Sequence, residues 1–274
     1  MAAGRQIDGL TADLRVTEAA RLTFAVRLHT VREQLQSTSL DADAIHDLRV
    51  ASRRAASAID VFQICIKGKA AKQAKSALKA IRLAAGLVRD WDVLLVLEPQ
   101  SEAIRGYALG RRDAALAELN LALDELRNEA LDAFDRLPRR VRRPAAEAIR
   151  RFRDLQPSFD ILLSHFDRLL RKSAEKPNAY HRLRIEAKRL RYAMEVFSPC
   201  FEPGFFERVY PQVETLQQIL GDVQDSNMAI ERLEVIPKSI PTAEFASKLR
   251  DRRTVAKSGF AAWREQWDSD GIRS

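Results

Sequence analysis

Two stretches of the sequence repeat one another without a gap, 135 positions apart, and this duplication limits the possible folds more than any other feature. His46–Phe62 aligns with His181–Phe197, with seven of the 17 pairs identical and four more conservative. The offset persists downstream, where a glycine and an aspartate recur in each copy: Gly86 with Gly221 and Asp90 with Asp225. A chance match would not hold one offset over about 50 residues, so the chain contains a duplicated unit.

The duplicated unit is helical. Apolar residues recur at helical spacing almost throughout, and no segment sustains the alternation typical of a strand. Only 10 of the 274 residues are glycine and 46% are hydrophobic, which is typical of packed helices. Pro138 is predicted to open the second half, which divides the chain into repeats at 1–137 and 138–274. We therefore expect an all-α protein.

Composition excludes several classes of protein. Two cysteines are too few for a disulfide framework or a four-thiolate zinc site. No stretch approaches the roughly 18 uncharged residues that a membrane span needs, and Arg5, Asp8 and Asp13 leave no secretory apolar region near the N-terminus. With a formal net charge of +8, we expect a soluble, basic, cytoplasmic protein without a metal or cofactor.

Each repeated helix is predicted to carry a basic stripe opposite an apolar one. The basic stripes contain His46, Arg49 and Arg53 in the first copy, and His181, Arg184, Lys188, Arg191 and Tyr192 in the second. The apolar stripes contain Leu48, Ala55, Ile59 and Phe62, and Leu183, Leu190, Met194 and Phe197. Cations stacked at these spacings repel one another unless an anion or a carboxylate neutralises them. A single stripe would be interpreted as a solvated face, but two copies, each led by a histidine, favour an anion site shared by both halves.

The repeated aspartates allow two interpretations. Asp90 and Asp225 either cap a new helix after a break at Gly86 and Gly221, or orient a cation of the basic stripe. Two arginines would extend the positive surface in the first copy alone: Arg82 and Arg89.

The densest positive run of the sequence lies between the two copies. It is predicted at a helix start, where cations oppose the helix dipole. It is interpreted either as a solvated helix start or as a peripheral contact with a polyanion. Its arginines are Arg139, Arg140, Arg142, Arg143, Arg150, Arg151 and Arg153.

The two His-x-x-Arg-x-x-x-[Arg/Lys]-Arg helices, each followed by Gly-x-x-x-Asp, resemble the CHAD family (conserved histidine α-helical domain). The resemblance spans about Leu10 to Trp267. It implies two four-helix bundles related by pseudo-two-fold symmetry, with inorganic polyphosphate bound in a central basic channel and association with polyphosphate granules. By position, it implies that the channel residues are His46, Arg49, Arg53, Arg54, His181, Arg184, Lys188, Arg189 and Arg191, supported by Arg82, Arg89, Asp90, Tyr192 and Asp225.

The sequence departs from its relatives in two places. Ala56 stands where the second copy has Arg191, which weakens the first stripe. No Glu-x-Glu-x-Lys triplet of the triphosphate-hydrolysing barrel found in some relatives occurs, so we expect binding of polyphosphate or another phosphate-rich polyanion without catalysis. The alternative is nucleic-acid binding through the same basic surface, although no aromatic stacking platform or reading motif accompanies the charge.

Overall fold

The helical spacing of the apolar residues produces eight α-helices and no strand in the described part of the chain. The structure is a computed structural model that describes residues 6–37, 40–66, 68–97, 101–173 and 179–269. The helices are α1 (Val16–Gln36), α2 (Ala42–Val61), α3 (Lys69–Val96), α4 (Glu102–Arg139), α5 (Gln156–Ser173), α6 (Ala179–Phe197), α7 (Phe205–Leu233) and α8 (Ala243–Ser269).

The eight helices form two four-helix bundles, as expected. In the first bundle, α1 packs against α2 and α4, and α3 packs against α2 and α4. In the second, α6 lies between α5 and α7, and α8 packs against α7. α5 and α8 also meet through Phe166 and Trp267, whose ring centroids are 5.7 Å apart. The prediction of an all-α fold is therefore confirmed.

The sequence repeat is also a structural repeat. The 3₁₀ turn Gln63–Cys65 follows α2, and the turn Ser198–Cys200 follows α6 at the same offset of 135 residues. Across the middle of the molecule, α2 packs against its equivalent α6, and α3 packs against its equivalent α7. This pairing of like with like fits a pseudo-two-fold relation between the halves. The boundary between residues 137 and 138 stays a prediction.

The apolar stripes of both repeated helices are buried, which confirms that prediction. The two halves also share an aromatic stack. Phe152, from the segment that joins the bundles, lies 5.3 Å from Phe62 and 5.4 Å from Phe197, measured between ring centroids. Because Phe62 and Phe197 are repeat equivalents, the stack ties the C-terminal ends of α2 and α6 together.

The expected helix breaks at Gly86 and Gly221 are absent. Both glycines lie inside continuous helices, α3 and α7. Asp90 and Asp225 are consequently mid-helix residues, and the capping interpretation is wrong for both. One interior glycine costs only about 1 kcal/mol relative to alanine. In α3 that cost is outweighed by the apolar stripe, which continues beyond Gly86 through Val88 and Trp91, both fully buried.

Candidate functional site

The basic stripes of α2 and α6 face the same cleft. It encloses about 720 Å³ and is bounded by α2, α3, α6 and α7, with one residue of α8 at its edge. The cleft is formed where the two halves meet, so each repeat contributes one wall. Ten of the predicted residues line it: His46, Arg49, Arg53, Arg89, Asp90, Arg184, Lys188, Arg191, Tyr192 and Asp225.

In the first repeat's wall, Arg49 is fixed by backbone contacts. Its Nη1 donates to the carbonyl oxygen of Arg82 at 2.5 Å, and Arg82 in turn donates to the carbonyl oxygen of Ser52 at 3.1 Å. The pKa of Arg49 is lowered to about 10, mainly by burial and next by the charge of the neighbouring Arg53. Burial, followed by the charge of Arg89, also lowers the pKa of His46. This wall therefore carries guanidinium groups that have lost part of their hydration.

In the second repeat's wall, Lys188 is the most strongly perturbed group. Its pKa is lowered to about 6, mainly by burial and next by the charges of Arg184 and Arg53, which Asp225 opposes. Burial lowers the pKa of Arg184 as well, and its Nε is buried with no hydrogen-bond partner among the described residues. Cations from both repeats thus lower the pKa of one lysine that lies between them. An anion in the cleft would relieve that repulsion.

Carboxylates neutralise only part of this charge. Arg191 pairs with Glu214 at 3.2 Å and lies over the ring of Tyr192. Asp225 is half-buried, and burial raises its pKa while Arg184 and Arg89 lower it. Asp225 therefore fits the interpretation of a carboxylate that orients the cations of the second wall.

The structure places four of the predicted residues outside the cleft lining. Arg54 pairs with a carboxylate of α6 instead of lining the cleft, and its Nε donates to Glu195 at 2.8 Å. Arg189 is exposed beside Glu186, 3.9 Å away. His181 is exposed at a smaller pocket, where its Nδ1 lies 3.2 Å from Oε1 of Gln224. Arg82 does not line the cleft, and its carbonyl oxygen accepts from Arg49. A binding role for these four stays a prediction.

The chain is similar to known proteins in sequence pattern and in fold. A family model described as CHAD domain matches residues 20–234, which is most of the chain. The chain belongs to the CHAD family. No curated protein matches its sequence significantly.

Two solved structures share the CHAD fold of this chain. The CHAD domain from the plant Ricinus communis is 21% identical with a TM-score of 0.71, covering 98% of this chain and 94% of that one. PptA from Streptomyces chartreusis is 15% identical with a TM-score of 0.61, covering 92% of this chain and 100% of its own. At these identities the likeness concerns the fold alone.

In this CHAD domain, sequence reasoning named Asp225 of α7 but missed the ion pairs that α7 and α8 make at the cleft. Arg232 of α7 donates to Asp90 of α3 at 2.6 Å, and Arg252 of α8 donates to Asp222 of α7 at 2.7 Å. None of these contacts repeats between the two halves, so the duplication gave no signal for them. Besides Asp222 and Arg252, the polar lining residues that were not predicted are Glu214, Gln217, Gln218 and Gln224.

Two kinds of feature are absent among the described residues. They contain no group of three or more His, Cys, Asp or Glu side chains placed to ligate a metal. None of the helices they form has the continuous apolar length needed to cross a bilayer.

Proposed function

We propose that this CHAD domain binds inorganic polyphosphate in the cleft between its two repeats, without catalysis, and that this binding associates it with polyphosphate granules. One observation carries the proposal: the cations of both repeats converge on one cleft with too few carboxylates to neutralise them. Three of the four lining carboxylates are already ion-paired: Asp90, Glu214 and Asp222. Asp225 remains opposite the cations that have no ion pair within the described chain: Arg49, Arg53, Arg89, Arg184 and Lys188.

The chemistry of these groups favours phosphate. A guanidinium presents paired donors that match two phosphate oxygens, whereas an ammonium acts as a point charge. A linear polyphosphate repeats this acceptor along its length, and the cations repeat along α2 and α6 on both sides of the cleft. Binding a polyanion here exchanges cation–cation repulsion for attraction, so the site is preorganised for high charge density.

Nothing in the cleft favours the nucleic-acid alternative. Proteins that bind single strands stack bases on exposed aromatic side chains. The one aromatic residue in the described lining is Tyr192, and it is 4% exposed. A nucleic acid would therefore find phosphate contacts here but no platform for its bases.

The test removes two cleft cations. Arg184→Ala combined with Lys188→Ala is expected to weaken polyphosphate binding by about a hundredfold, since each contact between a charged group and phosphate contributes roughly 1.5–3 kcal/mol. The matched control removes one arginine and one lysine that are exposed outside the cleft, Arg182→Ala with Lys172→Ala, and is expected to change affinity less than about twofold. Isothermal titration calorimetry gives the affinities, and circular dichroism checks that helicity is retained.

Two outcomes would contradict the proposal. Undiminished binding by the cleft variant would remove the cleft as the site. Release of orthophosphate from polyphosphate, with added magnesium or manganese, would show that the domain is an enzyme.

A further inference from the structure

The arginine-rich segment, residues 139–153, lies in a different place from the one its sequence predicted. It does not begin a helix. It leaves the C-terminal end of α4, runs as irregular chain, and enters the 3₁₀ turn Phe152–Leu155. At the end of α4 the first arginines lie near the negative pole of the helix dipole, which stabilises them. The interpretation of this run as a solvated helix start, with cations opposing the dipole, is therefore wrong.

Backbone hydrogen bonds fix this segment against the first repeat. The amide of Arg142 donates to the carbonyl oxygen of Cys65 at 2.7 Å, and the amide of Val16 donates to that of Arg150 at 2.9 Å. The amide of Phe152 donates to the carbonyl oxygen of Leu14 at 2.9 Å. Because the backbone is held at both ends, the arginines project from fixed positions.

Few carboxylates face these arginines. Asp13 pairs with Arg153. Asp154 accepts from the backbone amides of Arg150 and Arg151, at 2.8 and 2.7 Å, and these hydrogen bonds lower its pKa. Three arginines are exposed and have neither an ion pair nor a side-chain hydrogen bond within the described chain: Arg139, Arg140 and Arg143. The segment is thus a fixed surface on which three guanidinium groups are uncompensated.

This surface is separate from the cleft. None of its residues lines the cleft. An isolated β-bridge between Ile66 and Val141 joins the segment to the stretch of chain that follows α2. Ile66 lies 13 residues beyond Arg53, the last residue of α2 that lines the cleft. The part of that separation that runs along α2, from Arg53 to Val61, is about 12 Å at the rise of an α-helix.

We propose that the arginine-rich segment is a second contact for long-chain polyphosphate, outside the cleft, which rests on the proposed function of the cleft itself. The segment contains no aromatic residue except Phe152, which is buried, so it offers charge without a platform for bases. A chain long enough to reach both places binds the second at high effective concentration, and its affinity exceeds that of either contact alone. A chain too short to reach from the cleft to the segment gains nothing from it.

The experiment compares two probes, tripolyphosphate and long-chain polyphosphate. The segment variant is Arg139→Gln with Arg140→Gln and Arg143→Gln. The matched control replaces three exposed arginines elsewhere: Arg105→Gln, Arg111→Gln and Arg208→Gln. We expect the segment variant to bind tripolyphosphate as the wild type does, to bind long-chain polyphosphate about tenfold more weakly, and to show a slope of log K against log salt that is smaller by about 2. The control is expected to change none of these quantities by more than about twofold.

The outcomes separate this proposal from that of the cleft. Long-chain polyphosphate binding equal to that of the control would overturn the second contact, while the Arg184 and Lys188 double variant still tests the cleft through tripolyphosphate. Loss of duplex DNA binding in the segment variant, with long-chain polyphosphate binding retained, would assign the surface to nucleic acid and overturn the proposal as well.

Discussion

Lys188 shows how the fold changes the chemistry of a single residue. An exposed lysine is charged at neutral pH, but burial beside Arg184 and Arg53 lowers the pKa of Lys188 to about 6. This pKa predicts that Lys188 is mostly neutral at pH 7.5 in the free domain, among guanidinium groups that stay charged. A bound polyanion favours the charged amine and raises its pKa, so binding and protonation are coupled.

We predict that polyphosphate binding takes up a proton at pH 7.5. The sign follows from the pKa: the free lysine is deprotonated above about pH 6 and the bound one is protonated, so affinity falls as pH rises above that value. Calorimetric titration in two buffers of different ionisation enthalpy measures the uptake directly. Lys188→Met is expected to lower it by about half a proton or more, whereas the control Lys172→Met, on an exposed lysine, leaves it unchanged. An uptake that survives in Lys188→Met would contradict the assignment to this residue.

At the scale of elements, the two repeats use equivalent acidic positions differently. Glu195 of α6 is fully buried, where it accepts from Arg54 of α2 at 2.8 Å and from the hydroxyl of Tyr210 at 3.0 Å. Its repeat equivalent, Asp60 of α2, pairs with Lys75 at the surface. The buried pair crosses from one repeat to the other, and the surface pair lies within one repeat. The ion pair from α2 to α6 therefore breaks the symmetry of the duplication.

We predict that Glu195→Gln destabilises the domain by about 3 kcal/mol or more, because it removes the buried carboxylate that the partly buried Arg54 and the buried Arg27 share. Asp60→Asn, the equivalent change in the first repeat, is expected to cost less than about 1 kcal/mol, because that pair is exposed to water and weak. Chemical denaturation followed by circular dichroism gives both values. Equal costs for the two variants would show that the contact between repeats is not the source of the stability.

At the scale of the whole molecule, the cleft exists only because the halves are held together. α2 packs against α6 and α3 packs against α7, Arg232 joins α7 to Asp90 of α3, and Phe152 stacks between the two repeats. One wall of cations comes from each half. A ligand bound between the walls therefore stabilises the association of the two bundles as well as each bundle.

We predict that tripolyphosphate at about 100 times its dissociation constant stabilises the domain by about 2.7 kcal/mol. For a chain of this size that corresponds to a rise in Tm of about 5–10 °C, in a single transition because the ligand contacts both halves. Differential scanning calorimetry measures it. The Arg184 and Lys188 double variant, at the same ligand concentration, is expected to show less than a third of the rise, and an equal rise would place the ligand elsewhere.

Much of the cleft could be predicted because its basic residues recur in both copies of the repeat. The spacing of His46, Arg49 and Arg53 fixes one face of a helix, and the second copy fixes the equivalent face of another. Helical periodicity places the apolar residues on the opposite side of each helix, where they are buried. Local spacing was sufficient for these residues because the side of a helix on which a residue lies depends on its position along the chain.

Other features depended on contacts between residues far apart in the chain. Arg54 and Arg189 occupy equivalent positions in the repeat. Arg54 pairs with the buried carboxylate of Glu195, whereas Arg189 is exposed beside Glu186. The continuity of α3 and α7 through their glycines likewise follows from the burial of apolar residues against neighbouring helices.

The sequence by itself determined the helices, the duplication and the basic stripes, because these depend on spacing along one chain. Only the tertiary structure decided that the stripes share a cleft, that burial lowers the pKa of Lys188 there, and that the arginine-rich segment lies apart from it. These outcomes depend on burial and on charges brought together from distant parts of the chain, and sequence spacing alone contains neither.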